Sequence, residues 1–190
     1  MRARGTVTYP RASIIVRTRR GWAPPPLEKI DPLTIIEGSQ SAKGMRFAVV
    51  VSKFNDFVTD RLQAGALAAL AGAGLDEGDI TVLRVPGAFE IPSAAREAAK
   101  TGGYQAIVCL GCLIRGATPH FEYISSAVSH GLTEAAGATG VPMTFGVLTT
   151  NSVEEALERA GDGPSNKGWE AAMAAVEMAT LLAKMAQHTS

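Results

Sequence analysis

The sequence predicts an α/β protein: a three-layer α/β/α sandwich around a central four-stranded parallel sheet. Apolar runs of strand length alternate with amphipathic runs of helix length from Met45 onward. Strands separated by helices pair in parallel through right-handed crossovers, which places helices on both faces of one sheet. The runs RFAVVVS and QAIVCLG are almost continuously apolar, as strands covered on both faces are.

The elements follow in order. RFAVVVS is the first strand, and Phe57 to Ala71 a helix with Val58, Leu62, Leu67 and Leu70 toward a core. Gly72 and Gly74 mark its end, and DITVLRV is the second strand. GAFEIPSAAREAAKTGG reads as a short loop and a helix, and QAIVCLG as the third strand. Another helix runs from about Pro119 to Ala136, and Val141 to Val147 is a fourth strand that tolerates Pro142 near its start. Ser152 and Glu155 form an S-x-x-E capping box for VEEALERA, which Gly161 stops. A final long helix carries Trp169, Met173, Val176 and Leu181 on one side.

A length of 190 residues fits one domain, expected over 34–190. Met1 to Pro26 holds six arginines and no acid, so residues 1–33 are expected to be a disordered tail; a transit peptide fits less well, since the tail has one serine, Ser13. Thr34 to Ile36 is β-prone and suits an added edge strand. Eighteen basic and eighteen acidic residues balance, which gives no electrostatic footprint for nucleic acid or a membrane. No apolar run approaches the roughly 18 residues that cross a bilayer, and no secretory signal is present, so the expected location is the cytoplasm. Cys109 and Cys112 are spaced C-x-x-C, but on an extended strand they point to opposite faces at on the order of 10 Å, too far for a disulfide. They are expected to be buried thiols.

Ligands of such sheets bind outside the carboxyl ends of the strands. Four segments therefore converge: KFND, VPGAFE, GCLIRGATPH and the stretch after FGVLTT. The third has the two glycines of a phosphate loop, Gly111 and Gly116, but Ala117 stands where its lysine belongs. Phe54 and Asn55 offer an aromatic face and an amide suited to a flat heterocycle; alternatively Phe54 is core and Asn55 a helix cap. Gly87 and Ala88 leave bare backbone for a ligand. Glu90 either binds sugar-type hydroxyls or complements the helix dipole. Thr118 is expected as an N-cap with Pro119 at the first helical position. His120 then lies in the first turn, where the positive helix end favours neutral imidazole, either as a proton carrier or as an incidental surface residue. The N–H groups of Gly116 to Thr118 suit an anion. Arg159 and Lys167 flank GDGPSN; each alone reads as an ordinary helix-end cation, and both form an anion clamp only if the loop folds toward a strand end. No histidine or carboxylate pair has metal-ligand spacing, so no metal is expected.

Five segments in order, KFNDFVTDRL, RVPGAFEIP, GCLIRGATPHFEY, PMTFGVLTTNS and ERAGDGPSNKGWEAA, resemble the lumazine synthases, over about Thr34 to Gln187. The resemblance implies a flavodoxin-like fold and, without any cofactor, condensation of 5-amino-6-(D-ribitylamino)uracil with 3,4-dihydroxy-2-butanone 4-phosphate to 6,7-dimethyl-8-ribityllumazine, phosphate and water. By similarity Phe54 stacks on the pyrimidine, while Ala88, Phe89 and Glu90 bind ring and ribityl chain. Cys112, Leu113 and Ile114 continue that wall. Ala117 and Thr118 hold phosphate, Arg159 pairs with it, Lys167 lies near the same site, and His120 shuttles protons. The resemblance further implies that Phe145 reaches a site shared with an adjacent subunit, that five or sixty chains assemble, that riboflavin synthase is a partner, and that the Thr34–Ile36 strand extends a neighbour's sheet. The chain departs from the family at Cys112, often threonine, at Asn151, often an acid, and in its arginine-rich tail. Two other classes remain: a flavodoxin-type binding module, which needs a phosphate loop that SKFNDF is not, and a shell protein without activity.

Overall fold

In the computed structural model, residues 34–188 are described; the expected tail lies outside them. The chain divides into Met1–Ile35 and Ile36–Ser190, and the regular elements of the described residues lie in the second unit. Thr34 to Ile36 has no regular secondary structure.

Four strands, β1 (Phe47–Ser52), β2 (Ile80–Val85), β3 (Ala106–Ile114) and β4 (Met143–Thr150), form one sheet in the order β2-β1-β3-β4. Every pairing is parallel, as the alternation of strands and helices requires. Helices α1 (Asp56–Gly72), α2 (Ile91–Lys100), α3 (His120–Thr139), α4 (Val153–Arg159) and α5 (Lys167–His188) cover both faces. Period-two alternation sends Phe47, Val49, Val51, Val108 and Leu110 into one core with Leu62, Leu70, Ala172 and Val176. Ala48, Val50, Ile107 and Cys109 face the other, with Ile91, Ala95, Val128 and Leu132.

Two boundaries differ from expectation in ways that shape the site. The third strand continues three residues beyond QAIVCLG, through Cys112, Leu113 and Ile114. Its pairing with β1 ends at Leu110, but Gly111 to Ile114 continue against Val147 to Thr150 of β4. That partner lies far along the chain, so local pattern alone misses the extension. The tip of β3 therefore projects past β1 and forms a wall there. The fourth strand begins at Met143, not Val141: Pro142 has no N–H to donate, and only its carbonyl joins, accepting from Ile107 N–H at 2.9 Å.

The helices bring smaller corrections. Ser152 Oγ accepts from Glu155 N–H at 3.2 Å, but the Glu155 carboxylate takes Asn151 N–H at 2.9 Å, one residue before the cap. The box is thus shifted by a residue on its return bond. On α5 the buried side is a stripe of small residues, Gly168, Ala171, Ala172, Ala175 and Ala179, with Val176. Trp169 and Met173 only flank the core, because α5 lies too close to α1 for large side chains between them: a Cβ on Gly168 would strike the carbonyl of Leu62.

Candidate active site

Strand order reverses between β1 and β3, and the crevice at their carboxyl ends is where this architecture places ligands. A cleft of about 550 Å³ opens there.

The β1 end builds its first wall. Buried Ser52 accepts Phe54 N–H on Oγ at 3.1 Å, and its carbonyl accepts Thr59 Oγ1 at 2.8 Å. The tight turn expels the Phe54 ring, which is 66% exposed, so the expectation of a core phenylalanine fails. Asn55 follows at φ 59°, in the left-handed region that Asn tolerates better than most residues. It occupies the N-cap position of α1 but makes no side-chain cap; Nδ2 instead donates to Cys112 O at 3.0 Å, tying the turn to the projecting tip of β3.

The β2–α2 connection is a single 3₁₀ turn, Ala88–Glu90. Ala88 is buried and offers backbone only, while Phe89 and Glu90 are exposed at the cleft. The Glu90 carboxylate lies 3.1 Å from where a Cβ on Gly87 would stand, so the glycine leaves that space free. Among the described residues the Glu90 side chain has no hydrogen-bond partner, and its two oxygens remain available to a ligand.

The third wall comes from β3 and α3. Leu113 and Ile114 line the cleft, with Thr118 and His120 beyond them. The expected cap at Thr118 is absent: Pro119 holds the N-cap position and α3 begins at His120. Arg115 sets this geometry. Its N–H donates to Thr150 O at 2.9 Å, its Nε to Asn151 Oδ1 at 3.1 Å and its Nη1 to Glu122, and the guanidinium stacks 4.4 Å from the Phe121 ring centroid. The Glu122 backbone N–H, and then Arg115, hold the Glu122 carboxyl below the usual carboxylate range. With α3 anchored from this side, its first residue faces the cleft. Both the His120 imidazole and the N–H groups of Gly116 to Thr118 lack partners among the described residues, so a ring nitrogen and free backbone donors lie side by side at the cleft.

The expected residues do not all meet. Phe54, Ala88, Phe89, Glu90, Leu113, Ile114, Thr118 and His120 line the cleft. Phe145, Arg159 and Lys167 line a separate depression of about 470 Å³ along the free edge of β4. The loop after α4 itself packs against α1, and only the two cations that flank it, Arg159 and Lys167, face β4. Arg159 Nη1 donates to Glu155 O at 2.9 Å, leaving other guanidinium N–H groups unused, and Lys167 Nζ pairs with Glu170 at 2.8 Å. Phe145 stands 47% exposed at that edge.

Two residues of the expected wall fall outside the cleft lining. Ala117 is exposed beside it. The Cys112 side chain turns into the core shared by α1 and α5, so only its carbonyl reaches the wall, through Asn55. Burial pushes the Cys112 thiol up to about 11 and raises Cys109 further. An aromatic disulfide reagent at pH 8 is therefore expected to label neither thiol in the native protein and both in guanidinium chloride; rapid native labelling would contradict this burial. Phe121 and Ile124 also line the cleft and were not anticipated. The i, i+4 spacing of Ile124 from His120 was the available signal.

The comparisons agree on one family. The family model described as 6,7-dimethyl-8-ribityllumazine synthase matches residues 44–183. A relative from Syntrophus aciditrophicus (strain SB) named 6,7-dimethyl-8-ribityllumazine synthase is 55% identical over 149 residues, 78% of this chain and 97% of that protein. Another of the same name from Desulfatibacillum aliphaticivorans is 50% identical over 147 residues, 77% of this chain and 95% of that protein.

Proposed function

The chain belongs to the 6,7-dimethyl-8-ribityllumazine synthase family, and from that premise we propose that it condenses 5-amino-6-(D-ribitylamino)uracil with 3,4-dihydroxy-2-butanone 4-phosphate. The single observation that supports the residue assignment is the distribution of the expected residues over two depressions, one at the β1/β3 crevice and one on the free edge of β4, which we read as two half-sites.

In this reading the pyrimidine stacks on Phe54, and Glu90 with the backbone around Ala88 and Phe89 takes its polar edge and ribityl hydroxyls. Leu113 and Ile114 close the apolar side, and Cys112 contributes its carbonyl through Asn55. Butanone phosphate lies beside the start of α3, its phosphate on Thr118 and the free N–H groups near Ala117. A second copy seats its β4 edge over the cleft, bringing Arg159 and Lys167 to the phosphate and Phe145 to the ring. Imine formation, loss of phosphate and ring closure all require proton transfers, and His120, free of internal partners, carries them. Holding both substrates together supplies much of the remaining acceleration. The exposed rings of Phe54 and Phe145 support association, because large aromatic groups on a surface mark contact sites.

The assembly follows from the same reading: five chains in a ring, or twelve such rings in a shell, in the cytoplasm. Thr34–Ile36 adds to a neighbour's sheet, residues 34–190 form a single catalytic domain, and riboflavin synthase is a partner. Among the described residues no helix is long and apolar enough to cross a membrane. The two substrates supplied together are expected to yield lumazine, read by its absorbance, from an assembly sized by light scattering as a multiple of five. Failure to form lumazine would favour an inactive shell protein.

A further inference from the structure

The chain segment that links the two cations of the β4 depression carries a buried amide, Asn166, which is 3% exposed and turned toward α1. Its Nδ2 donates to Gly161 O at 2.7 Å and to Arg61 O at 3.2 Å. Its Oδ1 accepts Gly168 N–H at 2.8 Å and Trp169 N–H at 3.2 Å, which caps α5. One side chain thus joins three pieces of backbone: α1, the loop leaving α4, and the first turn of α5. The fit is close, since a Cβ on Gly65 would approach the Asn166 amide to 2.5 Å.

Only asparagine meets all these demands at this position. Aspartate keeps the acceptor but buries a charge against two carbonyls, and serine keeps a small acceptor but cannot span to both carbonyls. Arg159 closes α4 and Lys167 opens α5, so the loop that Asn166 holds is the only covalent connection between them. Neither cation is fixed by the sheet. Arg159 is anchored by its own helix, and Lys167 by Glu170 one turn along.

We propose that Asn166 is a positioning residue that sets the spacing and aim of Arg159 and Lys167, and so the phosphate affinity of the shared site. The inference rests on the assignment of the β4 depression as the phosphate half-site. Asn166→Ser retains a cap acceptor and releases the loop. With inorganic phosphate as the probe, its inhibition constant and the KM for butanone phosphate are expected to rise about tenfold, since small misplacements of binding groups cost that much. The pyrimidine KM and kcat should stay within about twofold, because the β1/β3 cleft is untouched.

A merely structural role predicts another pattern. Val128→Ala, in the opposite core, serves as a destabilised comparison: it should reduce the assembled fraction without shifting either phosphate constant. If Asn166→Ser behaves like Val128→Ala, the positioning role is overturned. Arg159→Ala separates the two levels. Weakened phosphate in Arg159→Ala with unchanged phosphate in Asn166→Ser rejects only the inference; unchanged phosphate in Arg159→Ala removes the half-site and the inference together. If Asn166→Ser does not assemble, hydrogen exchange on the wild-type assembly decides. Phosphate should slow exchange across 161–169, and exchange there that ignores phosphate overturns the proposal.

Discussion

Replacing Arg159 by alanine is expected to raise the KM for butanone phosphate about 10- to 100-fold, with pyrimidine affinity held within about twofold. The size follows from losing a charge-assisted contact of about 1.5–3 kcal/mol. Structural damage cannot account for it: Arg159 ends α4 and bonds only its own helix, so its helix-end contribution is about 0.3–1 kcal/mol. Lys167 cannot compensate fully, because Glu170 already engages it at 2.8 Å. Arg159→Lys should fall between, keeping charge but losing the fork that grips two phosphate oxygens. Separate titrations of the two substrates check the asymmetry, and equal losses for both would place Arg159 elsewhere.

Replacing His120 by alanine is expected to lower kcat about 100-fold and leave pyrimidine binding nearly intact. A positioned general acid–base contributes about 10²–10⁴. The lower end applies because His120 is exposed, so water and buffer can relay protons in its absence. On the proposed assignment the pyrimidine keeps its stacking surface on Phe54 and its acceptor at Glu90, and neither side chain hydrogen-bonds the imidazole. Single-turnover kinetics with prebound pyrimidine measure the step; loss of pyrimidine binding instead would make His120 a binding group.

The four strands, their parallel pairing and most of the cleft were legible because strand and helix signals are local. Buried strands show as apolar runs, RFAVVVS and QAIVCLG, and Phe54, Glu90 and His120 each lie in the segment that leaves a strand's carboxyl end. What escaped depends on distant partners. The tip of β3 is a strand only because β4 supplies hydrogen bonds to Gly111–Ile114. Thr118 has the composition of a cap, yet the ties Arg115 makes to Thr150, Asn151 and Glu122 leave Pro119 in that place. Asn166 reads as one polar residue in a loop, and only the packing of α1 against α5 turns it into a junction. The separation of Arg159 from His120 within one chain was likewise invisible, since spacing along a sequence does not reveal which sheet edge a side chain faces.

That separation is the central claim, and subunit mixing tests it most directly. Chains carrying His120→Ala and chains carrying Arg159→Ala are unfolded together and reassembled in equal amounts. If each site combines the cleft of one chain with the β4 edge of the next, random assembly restores about a quarter of the sites, and activity at low butanone phosphate returns to about a quarter of wild type. Activity no higher than the average of the two variants alone would contradict a site built from two chains.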